Sequence, residues 1–296
     1  MLTLRSPLMM ALATCLLCIT ALSRPATAQV AGDVAAGAVL CDLGACTLPR
    51  HGWSVELGWV GNSWIQDLRA LQLNYAPYHG LQLTSQTGLY LLGMPNFGLK
   101  WAFPRERTWA AFVATDVFVY RPKKVEGVTL GIVVASTGAS WTPRERLHLH
   151  LKASYTAVTG KVDEVQNAEG EDVLADTALN VSGLMASTAI DWWPWRFAAL
   201  LLELRLPLYS AYKGTASTAG GRATTEVELT NESPIEDWTL LAGVALKAGI
   251  FRARLGMFWG PPLGGELFLI ESSSGSVDKS DLGRTVFPTA EIVLQW

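Results

Sequence analysis

The sequence predicts an all-β chain closed into a transmembrane antiparallel up-and-down β-barrel of about 12 strands, and three observations carry that expectation. Half of the 296 residues are apolar, yet beyond residue 28 no apolar run approaches the roughly 20 residues that a spanning helix needs. The apolar residues recur instead with period two, and the 12 tryptophans gather towards strand ends. The connections, finally, alternate between tight turns and long polar segments.

The first 28 residues stand apart. Arg5 gives a short basic start, residues 8–22 an apolar stretch too short to span, and Ala26-Thr27-Ala28 a small-residue cleavage site, so a secretory signal peptide is expected over 1–28. A lipid anchor at Cys15 or Cys18 is the rival reading, but the small-residue pair that precedes such a cysteine is missing. Removing the signal takes two arginines and no acid from 23 Lys plus Arg against 26 Asp plus Glu, leaving a net charge of about −5. That balance argues against nucleic acid as a partner. Residues 29–50 form an Ala- and Gly-rich leader too short to fold alone. An oxidising compartment allows a disulfide between its Cys41 and Cys46, two unpaired thiols being the alternative. With no second cysteine pair and no nearby histidine cluster, no metal site and no cofactor is expected.

From residue 51 to 296 the elements follow in order. The first strand, 51–60, sets Trp53, Val55, Leu57 and Trp59 against Ser54 and Glu56. Strands over 67–76, 80–92 and 96–103 lead to a turn at Pro104-Arg105-Glu106-Arg107, where proline ends the strand and the charges hold the turn in water. Strands over 107–120 and 127–142 lead to the same four residues again at 143–146; an anion site is the functional alternative to a repeated turn. In 146–159, Leu147, Leu149, Leu151 and Ala153 oppose His148, His150, Lys152 and Ser154. The strand over 177–192 turns at Pro194-Trp195 into 196–210, where Leu200, Leu202, Leu204 and Leu206 oppose Glu203 and Arg205. Strands 236–248 and 250–260 meet near Gly249, the second setting Phe251, Ala253, Leu255, Met257 and Trp259 against Arg252 and Arg254. The last, 284–296, sets Ala290, Ile292, Leu294 and Trp296 against Glu291, Val293 and Gln295. Long segments rich in Gly, Ser, Thr, Asp and Glu, at 160–176, 211–235 and 261–283, are expected as loops at the opposite end from the tight turns.

A soluble sandwich or lipocalin-like barrel would share this alternation with its apolar face inward. The tryptophans favour lipid instead: Trp53, Trp101, Trp109, Trp141, Trp192, Trp193, Trp195 and Trp296 fall at the short-turn end, and Trp59, Trp64, Trp238 and Trp259 at or near the long-loop end. Indole suits a bilayer interface because it joins an apolar body to one N–H donor. The opposite strand faces carry Glu56, Lys100, Asp116, His148, His150, Lys152, Glu203, Arg205, Lys247, Arg252, Arg254 and Glu291, too many charges for a dry core but suited to line a lumen.

With its closing strand "EIVLQW", the chain resembles the outer-membrane β-barrel proteins of Gram-negative bacteria, with Trp296 in place of the commoner terminal Phe. The resemblance implies the outer membrane as its place and the lipid bilayer as its solvent. It also implies short turns and both chain ends in the periplasm, long loops outside, an even strand count, and recognition of the closing strand by the barrel-assembly machinery. The leader then hangs in the periplasm or tucks into the lumen as a small plug. A passive pore for small polar or charged solutes is the leading expectation, anion-tolerant because the lumenal cations outnumber the acids. The alternative is an interaction barrel whose lumen is knit shut by salt bridges and whose outer loops bind a surface partner. A membrane-embedded hydrolase is disfavoured, because all four histidines (His51, His79, His148, His150) fall at the short-turn end, and no enzyme is expected.

Overall fold

A computed structural model describes residues 44–59, 68–91, 93–104, 108–121, 128–166, 172–218, 224–230, 237–260, 266–270, 277–281 and 284–296. The expected signal peptide, the leader up to residue 43 with Cys41, and Trp64 lie outside these residues.

Each stretch of alternating sequence forms a strand. The first six are β1 (Trp53–Trp59), β2 (Leu68–Tyr78), β3 (Leu81–Gln86), β4 (Asn96–Pro104), β5 (Trp109–Tyr120) and β6 (Val128–Arg144). Three long strands follow, β7 (Leu147–Gln166), β8 (Asp172–Trp192) and β9 (Ala198–Thr218). The rest are β10 (Thr224–Thr230), β11 (Thr239–Ala248), β12 (Phe251–Gly260), β13 (Glu266–Ile270), β14 (Val277–Asp281) and β15 (Thr285–Gln295). Twelve of them make one closed antiparallel wall in the order β9-β11-β12-β15-β1-β2-β3-β4-β5-β6-β7-β8, and β8 pairs back onto β9 to complete the ring. Closure leaves no unpaired edge, the condition for backbone to cross a bilayer.

Two features depart from the expected map. The segments 160–176 and 211–235, read as loops, are in part strand: β7 pairs with β8 as far as Gln166↔Asp172, and β10 pairs with residues 211–217 of β9. Likewise β13 and β14 form a hairpin of their own between β12 and β15. Thr224–Thr230 and Val277–Asp281 carry no strong apolar face in sequence, and the apolar Glu266–Ile270 is only five residues long, so these strands show only through their ladders. Secondly, β3 stops at Gln86, where a helical turn over Thr87–Tyr90 folds Leu89 inward. Asn96 fixes the bend by accepting from Gln86 N (2.6 Å) and donating to the carbonyls of Gln86 and Met94 (both 3.0 Å).

The wall also varies in height. Strands β7, β8 and β9 run for 20, 21 and 21 residues, roughly 65–70 Å of extended chain against a hydrocarbon core of about 30 Å, whereas β1 and β3 have 7 and 6. The register between β1 and β2 shifts at Gly58, where any Cβ would lie 2.2 Å from the Ala290 carbonyl oxygen of β15. Opposite it, Leu71 adopts φ 54° and inserts a bulge into β2.

Candidate functional site

Alternation sends polar side chains into the lumen, and the structure sorts them into two regions. On the wall formed by β8, β9 and β11 the interior is packed: Ala189, Trp193, Ala199, Leu201 and Ala245 make a dry cluster. Beside it the Glu203 carboxylate and Arg205 guanidinium, two residues apart on one face of β9, bond to each other and are almost fully buried. Buried against each other, they are not among the residues that line the cavity described below, unlike the other candidate pore-lining charges. His148 and His150, also expected as pore-lining, are buried and are not among the residues that line that cavity. His148 Nδ1 lies 3.0 Å from Thr142 Oγ1, and His150 lies between Ser140 Oγ (2.8 Å from Nδ1) and Asp191 Oδ2 (3.8 Å from Nε2).

That histidine seat is covered by the leader. The Ala45 amide donates to Ser140 Oγ at 2.7 Å, Lys100 Nζ donates to the Gly44 carbonyl at 2.6 Å, and the Leu48 amide donates to Gln82 Oε1 at 3.2 Å. A Cβ at Gly44 would stand 2.7 Å from His150 Nδ1, so only glycine approaches so closely. Ala45 packs against Ala102, Ala110 and Phe112. Residues 44–48 therefore sit inside the barrel, level with Trp101, Trp109 and Trp141, which neighbour Ala102, Ala110 and Ser140 in sequence. Cys46 is buried and disulfide-bonded; Cys41, its expected partner, lies outside the described residues.

The other region is hollow. A cavity of about 310 Å³ is bounded by the leader at Thr47–Pro49 and by inward residues of β11, β12, β15 and β1 to β7. Of the candidate lumenal charges, Glu56, Lys100, Asp116, Lys152, Lys247, Arg252, Arg254 and Glu291 line it. Its carboxylates are held by the wall: Glu56 accepts from Asn74 Nδ2 (2.6 Å), Gln72 Nε2 (3.1 Å) and Ser54 Oγ (3.3 Å), and Glu291 lies 2.8 Å from Arg254 Nη2. Arg69 Nε reaches both, at 3.8 and 3.9 Å. Towards the long-loop end an apolar layer of Leu89, Phe118, Ile132 and Val134 narrows the lumen, and Phe118 and Val134 reach the cavity.

Sequence reasoning overlooked Arg69 because the bulge at Leu71 reverses the parity of β2: Gln72 and Asn74 face inward at even positions, and Arg69 does so at an odd one. Asp191 was within reach, since it alternates with the outward Ile190 and Trp192. Ser140, Gln82 and Asn74 carry no charge to mark them. Among the described residues no group of three His, Cys, Asp or Glu could hold a metal.

Outside, Leu57, Leu151, Leu200, Leu202, Val244, Leu255, Ile292 and Leu294 are exposed around the wall. Trp53, Trp141, Trp192, Trp195 and Trp296 ring the short-turn end with Trp101 and Trp109, and Trp259 meets Trp238 edge-on near the other end under the Arg284 guanidinium. The Trp59 side chain is outside what is described. Trp193 is a correction: it follows outward Trp192, so alternation turns it inward, and it is 7% exposed within the packed cluster rather than part of a girdle. A closed ladder with an apolar, Trp-rimmed outside and a charged inside is stable only with lipid around it. The chain is a bacterial outer-membrane β-barrel.

No protein-family model matches this outer-membrane barrel, and no curated protein is similar to it by sequence. Among solved structures it is similar to the toluene transporter TodX of Pseudomonas putida, at 10% identity over 82% of this chain and 66% of that one, with a TM-score of 0.38. It is also similar to the translocator domain of the autotransporter NalP from Neisseria meningitidis, at 10% identity over 83% and 86% of the two chains with a TM-score of 0.43. A third is the outer membrane protease OmpT from Escherichia coli, at 7% identity over 82% and 90% with a TM-score of 0.31. The barrel spans less than two thirds of the transporter's length, and similarities of this depth carry no functional argument.

Proposed function

We propose that this barrel is a narrow passage for small polar or charged solutes, with the leader as a plug at its short-turn end. The observation that carries this reading is the lumenal cavity, to which strands all round it contribute charged or polar side chains and which is bounded by the leader as well as by the wall. Among the described residues the leader is seated by hydrogen bonds given by Ala45, Leu48 and Lys100 and by the packing of Ala45 against Ala102, Ala110 and Phe112. The test is planar-bilayer conductance in a salt gradient, comparing the mature chain with a form lacking residues 29–48. Small or rare steps that enlarge on deletion, with a reversal potential displaced from zero, support the passage. Silence from both, in barrels that still shift mobility between unheated and boiled gels, removes it.

A second reading has its own support. The dry cluster and the Glu203–Arg205 pair favour a closed interaction barrel whose extended β7–β10 region binds a surface partner. Silence in the bilayer experiment would favour it. We also read the chain as non-enzymatic. Ser140, His150 and Asp191 bring together the side-chain types of a hydrolase triad, but Ser140 Oγ takes up the Ala45 amide in a buried place, which supports anchoring rather than attack on a substrate. Engagement of β15 by the barrel-assembly machinery belongs to the same proposal.

A further inference from the structure

The repeated Pro-Arg-Glu-Arg turn plays no part in the lumen, and the structure sets its second copy beside another basic turn. β6 passes into β7 through Pro143-Arg144-Glu145-Arg146, and β8 passes into β9 through Trp193–Phe197, which includes Arg196. The two turns are tied together: the Trp193 amide donates to the Arg146 carbonyl at 2.8 Å, and Arg146 Nη1 donates to the Pro194 carbonyl at 3.1 Å. Arg144, Arg146 and Arg196 are all exposed, with one acid, Glu145, in the same two turns. Among the described residues none of the three arginines makes an ion pair, and the Pro194 carbonyl is the one acceptor that any of them uses. Elsewhere at this end the β2–β3 turn at His79-Gly80 and the β11–β12 turn at Gly249-Ile250 carry no lysine or arginine. Arg50 precedes β1, which lies half way round the ring from β7. The described positive charge of the short-turn rim is thus gathered on one arc. Residues 105–107 of the first copy lie outside the described residues, and the arc is drawn without them.

The wall next to these turns meets lipid. Trp141 stands three residues before Arg144 and Trp192 four before Arg196, both exposed, and the exposed rings of Trp195 and Phe197 stack with centroids 6.3 Å apart. Indole marks the bilayer interface, so arginines a few residues beyond it stand at the level of the headgroup phosphates. We propose that the two turns form a headgroup site for an anionic phospholipid of the leaflet at the short-turn end, with the guanidinium groups of Arg144, Arg146 and Arg196 taking the phosphate. The site goes beyond the passage reading and does not depend on it; it requires only that the barrel lie in lipid. A guanidinium is planar, always charged and forked to match phosphate oxygens, which suits it to this role better than an ammonium. Charge set against an aromatic, lipid-facing rim favours an anion that carries its own apolar tail, because a soluble anion gains nothing from the rim.

Native mass spectrometry of the full mature chain tests this, with the folded barrel released from micelles that hold equal amounts of phosphatidylglycerol and phosphatidylcholine. The ratio of the two lipids retained reads the preference. The expected result is a preference for phosphatidylglycerol of about fivefold for each of the three arginines, or about a hundredfold in all at low salt, which falls as salt is added. Arg144→Gln, Arg146→Gln and Arg196→Gln each lower the ratio about fivefold, and the triple variant retains the two lipids equally. Arg146→Lys keeps most of the preference because the charge remains. Arg121→Gln, at an exposed position just beyond the opposite end of β5, leaves the ratio unchanged. The unheated-gel mobility shift confirms that each variant is folded. Equal retention of both lipids by the unaltered chain, a preference kept by the folded triple variant, or an equal loss in Arg121→Gln overturns the site. Displacement of phosphatidylglycerol by an equal concentration of inorganic phosphate would make it a site for free anions and overturns the lipid assignment.

Discussion

The wall of β8, β9 and β11 and the wall of β12, β15 and β1 to β4 are built from the same alternation, yet one packs its interior like a protein core and the other encloses a cavity. The difference lies in what stands at the inward positions. On the packed side these are Ala189, Ala199, Leu201 and Ala245, with Trp193 closing the short-turn end and the Glu203–Arg205 couple beside them. On the hollow side they are long Arg, Lys, Glu and Gln side chains, which bond along the wall to one another and leave the axis open. Period two decides only that a residue faces inward. Whether the lumen fills depends on how many inward residues are small and apolar enough to interlock, and on how many are long charged side chains that pair along the wall.

The largest expected effect comes from disturbing the packed side. Glu203→Ala takes the carboxylate from the buried Arg205 guanidinium and costs about 3–5 kcal/mol, read from the urea midpoint of the barrel in micelles. The double change Glu203→Leu with Arg205→Met costs less than the single one. A cost below about 1 kcal/mol for Glu203→Ala would mean that water reaches this wall, and the contrast between the two regions would fail.

Next comes a pair of neighbours. Trp193→Ala opens a hole against Leu201 and Ala245 and costs about 3 kcal/mol, whereas Trp192→Ala, one residue away on the lipid face, costs about 1 kcal/mol. The same urea titration measures both. Equal costs would place Trp193 at the membrane interface after all.

Trp193 also shows where sequence reasoning stopped short. All twelve wall strands were legible, because lipid outside and charge inside impose alternation on each of them: Leu200 to Leu206 and Phe251 to Trp259 face as their spacing predicts, apart from the half-buried Ala253 beside the cavity. Grouping Trp193 with the girdle counted tryptophans by position and ignored parity. Arg69 was hidden for the opposite reason, since parity itself changes at the bulge of Leu71. For β10, β13 and β14 the polar composition of 211–235 and 261–283 points to loop, and the apolar Glu266–Ile270 is only five residues long. For the cavity, eight of the charges that line it were legible one by one. Which of the twelve candidates would fold into pairs instead was not, because that depends on contacts such as His150 with Asp191, 41 positions apart in the sequence.

The leader was the least legible part, and it gives the smallest effect. Its Gly44-Ala45 segment offers no side chain that could announce a docking site, and it is seated through main-chain groups on Ser140, Lys100 and Gln82. Ser140→Ala removes the acceptor for the Ala45 amide and leaves the two other hydrogen bonds in place, a loss of about 1 kcal/mol that is local to the leader. One such loss corresponds to roughly fivefold faster hydrogen exchange at the Ala45 amide, with the urea midpoint unchanged, because the barrel ladder does not depend on it. Exchange at Ala45 that stays as slow as before would mean that packing against Ala102, Ala110 and Phe112 holds the leader. The plug would then belong to the packed region of the molecule rather than to the hollow one.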